Sequence, residues 1–139
     1  MPAKKISPEE IKHLEFLQAV ITRMNNNSFQ MKGWMVTIVS ALLAVYAGTG
    51  NNSFVLVATV PTVIFWFLDT YYLWQERKFR GVYNDVAGIT NTNKIALFAM
   101  RPDLYTGGKY SYFNVFFSVT ILWVYLPVIG ILKAIYFLL

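Results

Sequence analysis

The chain has 139 residues, no cysteine and a single histidine, His13, which excludes disulfides, thiolate chemistry and a histidine cluster within one copy. Its 56% hydrophobic and 17% aromatic content exceeds the roughly 45–50% apolar share of a soluble domain. The formal charge of +5 gathers in the segments flanking apolar runs, where anionic lipid accounts for it without nucleic acid.

Residues 1–30 contain Glu9, Glu10, Glu15 and an asparagine run rather than an apolar core, so no cleavable signal peptide is expected. Ser7-Pro8-Glu9-Glu10 combines an N-cap serine, a proline at the first helical position and a glutamate three residues after the cap, which predicts a helix start. Ile11, Leu14, Leu17, Ile21, Met24, Ser28 and Met31 then recur at three- and four-residue steps. This stripe predicts an amphipathic helix over 7–31 that lies on the inner membrane surface, packs on another cytoplasmic segment, or forms a seam between subunits. Asn25-Asn26-Asn27-Ser28 interrupts it, predicting either a bend or a polar helix–helix contact. Asn26-Asn27-Ser28 and Asn51-Asn52-Ser53 match the glycosylation acceptor pattern, which has meaning only in a eukaryotic secretory setting.

Three apolar segments follow, over 29–48, 54–74 and 112–132, each near the length of about 20 residues that a spanning helix needs. In the first, Ser40, Ala44 and Ala47 give one face of small residues, the kind that lets helices approach closely in lipid. The second contains Pro61, which removes a backbone donor and predicts a kink unless a neighbour satisfies the freed carbonyl. It also contains Asp69, an ionisable group inside an apolar segment and therefore a candidate functional residue. Trp66, Tyr71, Tyr72 and Trp74 read as an aromatic interface belt. Beyond Trp74, the spacing of Phe79, Val82 and Val86 predicts an amphipathic helical extension, with Glu76 and Arg80 placed for an i,i+4 pair.

Residues 75–109 form a second polar segment, irregular from Gly88 onward, with an apolar patch at Ile95–Met100 placed to dip into the interface. Thr106-Gly107-Gly108-Lys109 lacks the spacing of a phosphate loop. In the third span Asn114, Pro127 and Gly130 are irregularities, and Lys133 can snorkel to the far surface. The Gly48–Ser53 turn carries no charge, whereas Lys4, Lys5, Lys12, Arg23 and Lys32 precede the first span and Arg77, Lys78, Arg80, Lys94, Arg101 and Lys109 separate the second from the third. The positive-inside rule therefore places the N-terminus and the middle segment in the cytoplasm, and the C-terminus outside, in an all-α, three-span architecture.

Lys32 and Asp69 are equidistant from the turn centre between Gly50 and Asn51. At equal rise per residue they stand at one depth near the cytoplasmic edge, which predicts an ion pair locking the hairpin. Repeated around an oligomer, Asp69 would line a cation-selective ring. Arg23, Asn27, Ser28, Pro61, Arg77 and Arg80 are the further candidates for interface or gating roles.

The segments LQAVITRMNNNSFQMKGWMVTIVSALLA and FWFLDTYYLWQERKFRGVYNDV resemble a group of small multi-pass bacterial membrane proteins of mobile or anti-phage defence-type loci. The resemblance spans residues 14–86, with a weaker echo in the third span. The matching positions are Arg23, Met24, Asn27, Ser28, Phe29, Lys32, Gly33 and Trp34 in the first segment. In the second they are Asp69, Tyr71, Tyr72, Gln75, Glu76 and Arg77. No soluble sensor domain follows Val86, so signal detection would need a partner. The resemblance implies antiviral defence by membrane disruption. The expected function is thus a homo-oligomeric inner-membrane effector that perturbs or conducts across the membrane when a cytoplasmic protein or small-molecule cue acts on it. The alternative is a non-catalytic membrane anchor or accessory subunit for a cytoplasmic partner. No nucleophile–base pair, paired acids or metal cluster stands out, so neither an enzyme nor a cofactor is expected.

Overall fold

The computed structural model describes residues 5–139, and within them the chain is helical without strands. Lys4, one of the basic residues counted ahead of the first span, lies outside the described residues. Helix α1 runs Pro8–Thr49 and α2 runs Ser53–Ala87. A strap with two short 3-10 turns, Pro102–Leu104 and Gly108–Tyr110, leads to the five-residue α3 at Tyr112–Phe116 and to α4 at Val119–Leu138. Helices α1, α2 and α4 are each long and apolar enough to cross a membrane.

Ser7 begins α1 as its sequence implies, its hydroxyl accepting from the Glu10 N–H at 3.2 Å. The helix continues for 42 residues through the asparagine run, so the amphipathic segment and the first span are one element. Asparagine costs a helix at most about 0.7 kcal/mol per residue relative to alanine, and Asn25 recovers part of this by donating to Glu76 on α2. Of the two outcomes expected of the run, the polar helix–helix contact is the one formed. Gly50 ends α1 with a φ of 68°, its N–H bonded to the Tyr46 carbonyl at 2.7 Å. Glycine pays no steric penalty in that left-handed conformation.

Helix α2 passes through Pro61 uninterrupted, with Thr62 donating to the Ala58 carbonyl at 2.9 Å. The third apolar segment departs from the expected single span. It is broken at Phe117-Ser118, where Ser118 takes an extended conformation as the N-cap of α4, and the helix then runs on to Leu138. Trp66 Nε1 donates to the Phe116 carbonyl at 3.2 Å, satisfying a group left orphaned by the break.

Two cores result. In the apolar half, Met35 and Val39 of α1 meet Val55 and Ala58 of α2 and Ile121, Tyr125 and Leu132 of α4. In the polar half, Leu17 packs with Val82 and Tyr105, flanked by Phe79, Tyr83 and Ile95. The expected stripe is only partly used: Leu17, Ile21 and Ser28 are buried, Ile11 is 49% exposed, and His13 is buried instead. The small residues Ser40, Ala44 and Ala47 are exposed.

Candidate functional site

Asp69 sits on the face of α2 that turns toward both α1 and α4, and it is fully buried. Lys32 Nζ lies 2.6 Å from Asp69 Oδ2. Ser28, one helical turn before Lys32, donates its hydroxyl to Asp69 Oδ1 and accepts from Lys32 Nζ at 3.1 Å. The Tyr125 hydroxyl on α4 donates to Asp69 Oδ2 at 2.9 Å and stands 3.3 Å from the Phe65 carbonyl. One carboxylate on α2 therefore gathers donors from both α1 and α4, joining the three long helices. An uncompensated charge inside a bilayer costs about 2.5–3.5 kcal/mol on insertion scales, so this set of donors has a clear driving force.

The same register continues downward. Asn25 reaches both carboxylate oxygens of Glu76 at 3.4 Å, and Arg80 holds Glu76 at 2.9 Å from one turn on. Trp74 Nε1 donates to the Tyr110 carbonyl at 2.6 Å, and Arg77 Nη1 to the Lys109 carbonyl at 3.4 Å, which ties the strap to α2. Tyr71 and Tyr112 each contact Trp74 edge to face beside these bonds. Trp66, by contrast, stacks inward on Phe116 at 4.6 Å and belongs to the core rather than to an exposed belt. Among the other expected interface residues, Arg23 is exposed, Asn27 half-buried and Pro61 half-buried in the interior of α2.

The distal end holds a second polar constellation, which sequence spacing did not show. His13 Nδ1 accepts from the Phe98 N–H at 3.2 Å, so its Nε2 carries the proton donated to the Ala99 carbonyl at 2.9 Å. Phe98 has a φ of 60°, a conformation rare for a non-glycine residue. Asp85 accepts from the Thr90 and Tyr105 hydroxyls and from the backbone N–H groups of Thr92 and Asn93, both at 3.1 Å. Partial desolvation pushes the Asp85 carboxyl up, but these four donors outweigh it and hold the group below its ordinary value. Desolvation and the bond to Asp85 together push the Tyr105 phenol well above its ordinary range. Between these anchors lies a cavity of about 790 Å³ lined by Ser7, His13, Asp85, Asn93 and Lys94 among others.

The Ile95–Met100 patch, expected to dip into the interface, packs on the far end of α1. Phe98 packs on His13 and Phe16, which stand 19 and 16 residues before Lys32 on α1, about 28 and 24 Å along the helix axis. Two backbone bonds to a buried imidazole hold this segment there. Among the described residues no three His, Cys, Asp or Glu side chains are placed to hold a metal ion. No protein-family model, curated protein or solved structure matches the chain.

Proposed function

We propose that this chain is a non-catalytic bacterial inner-membrane protein, N-terminus inside and C-terminus outside, that holds a helical hairpin in the cytoplasm for a protein partner. The position of the tip carries this reading. Ile11, Phe16, Leu97 and Phe98 are 49%, 46%, 51% and 46% exposed, at a distance from the Lys32–Asp69 level that bilayer contact cannot explain. Exposed apolar residues grouped outside lipid are a signature of a contact surface. The enclosure of Asp69 by Ser28, Lys32 and Tyr125 of its own chain also argues against a ring of Asp69 side chains lining a pore.

The second reading is the oligomeric effector of antiviral defence that perturbs the membrane. The exposed Ser40–Ala44–Ala47 face supports it, since small residues favour close helix association in lipid. Induced expression separates the two. An anchor leaves membrane potential intact and copurifies with a protein that Phe16→Glu or Leu97→Glu releases. An effector collapses the potential, and Ala44→Leu abolishes the collapse.

A further inference from the structure

The positive charge of the chain is concentrated at one height. The Lys32–Asp69 and Asn25–Glu76 contacts set α1 against α2 so that residues 32 and 69, and 25 and 76, stand level. By the same register Arg23 stands level with Lys78, between Arg77 and Arg80. The Arg77 bond to the Lys109 carbonyl brings the strap's Lys109 to the same level. Five cations, Arg23, Arg77, Lys78, Arg80 and Lys109, thus surround the hairpin with Glu76, which Arg80 already pairs, while Asp103 near Lys78 is neutralised by its own partner Arg101. Lys32 and Asp69 cancel, and the remaining six cations nearly balance the remaining five acids. The collar therefore holds +4 of the chain's +5.

That height is specific. A hydrocarbon layer of about 30 Å counted from Phe54 at about 1.5 Å per residue ends near Trp74. Arg77 and Arg80 then lie about 4 to 9 Å beyond it, in the headgroup layer. The aromatic contacts of Trp74 with Tyr71 at 6.2 Å and Tyr112 at 5.6 Å mark the hydrocarbon side of the collar. Lys78 Nζ rests 4.1 Å over the Trp74 ring. Arg23 and Lys109 are exposed and Arg77 half-buried, and none of the three makes an ion pair among the described residues.

We infer that the collar is a binding ring for acidic phospholipids, with a headgroup phosphate seated at Arg77 and Lys109 beneath the Trp74–Tyr112 pair. The inference rests on the membrane-spanning reading above and is independent of what the hairpin tip contacts. Near-surface cations each strengthen attachment to anionic lipid about fivefold.

The test uses the full-length protein in neutral detergent, with phosphatidylglycerol or phosphatidylcholine added and bound lipid read by native mass spectrometry. The wild type is expected to retain phosphatidylglycerol at least fivefold better. The variant Arg23→Gln/Arg77→Gln/Lys109→Gln is expected to bring that ratio toward one. A charge-matched control, Lys5→Gln/Lys12→Gln/Lys94→Gln, is expected to keep it. Equal retention of the two lipids by the wild type, or equal loss in both variants, overturns the collar. Displacement of phosphatidylglycerol by millimolar inorganic phosphate would reassign the site to a free anion and also overturn it. Should the collar variant not fold, wild-type salt dependence decides. Raising salt from about 0.1 to 1 M shortens screening from about 10 to 3 Å, so a preference unchanged by salt refutes the assignment. A chain that spans the membrane in the proposed orientation yet shows no lipid preference fails here alone.

Discussion

At Asp69 the balance of one residue decides how three helices meet. Lipid tails are as apolar as leucine, so burial supplies little drive for helices to associate inside a bilayer, and packing and interhelical polar contacts supply it instead. Removing one partner of a buried pair leaves an uncompensated charge and costs about 3–5 kcal/mol, whereas removing both is far milder. Lys32→Met is therefore expected to lower the melting temperature in detergent strongly. Lys32→Met/Asp69→Leu is expected to recover much of that loss, giving a non-additive double-mutant cycle. Additive losses would show that the contact contributes nothing as a pair.

Among the elements, the strap depends on α2 for its shape. Gly81 faces Tyr105, and a Cβ there would lie 2.6 Å from the ring's Cδ1 and 2.9 Å from the Tyr110 hydroxyl. Alanine gains about 0.8–1 kcal/mol in helix propensity, but overpacking against a buried ring costs about 1–3 kcal/mol, so the clash wins. Gly81→Ala should speed protease cleavage within 89–110 while leaving the apolar half folded. Asp85 gives the same segment a pH dependence. Its folded-state pKa is depressed, so its contribution is fully present above the unfolded value of about 3.9 and is lost as pH falls through the folded value. The protection factors of the Thr92 and Asn93 amides, taken relative to intrinsic exchange at each pH, are thus expected to hold at neutral pH and fall below about pH 4. Asp85→Asn would flatten that acid limb, and an unchanged limb would remove Asp85 as its cause.

For the molecule as a whole, the charge collar and the two cores divide the hairpin into an apolar half and a polar half. The absence of native cysteine makes the orientation directly measurable. In intact cells, Asn51→Cys should react with an impermeant maleimide and Thr106→Cys should react only after lysis. The reverse pattern would invert the proposed topology. The α3–α4 break adds a point at which the third apolar segment is held by side chains of α2 rather than by its own helix.

Much of the long-helix plan and of the Lys32–Asp69 contact was legible from residue order alone. Two long helices joined by a tight turn have one rise per residue and one turn centre, so equal distance from Gly50–Asn51 sets equal depth. The N-cap at Ser7 and the extension beyond Trp74 are likewise local properties. Tyr125 was not legible as a partner of Asp69, because its contact depends on how α4 rotates against α2, 56 residues away in sequence. Ser118 did carry a signal, a cap-forming residue ahead of a new apolar run, but the orphaned Phe116 carbonyl also needed Trp66 from another helix. His13 and the Ile95–Met100 patch show the limit most clearly. Composition gives the sequence its apolar and basic segments, whereas only long-range backbone contacts decide that this patch closes on an imidazole near the start of α1.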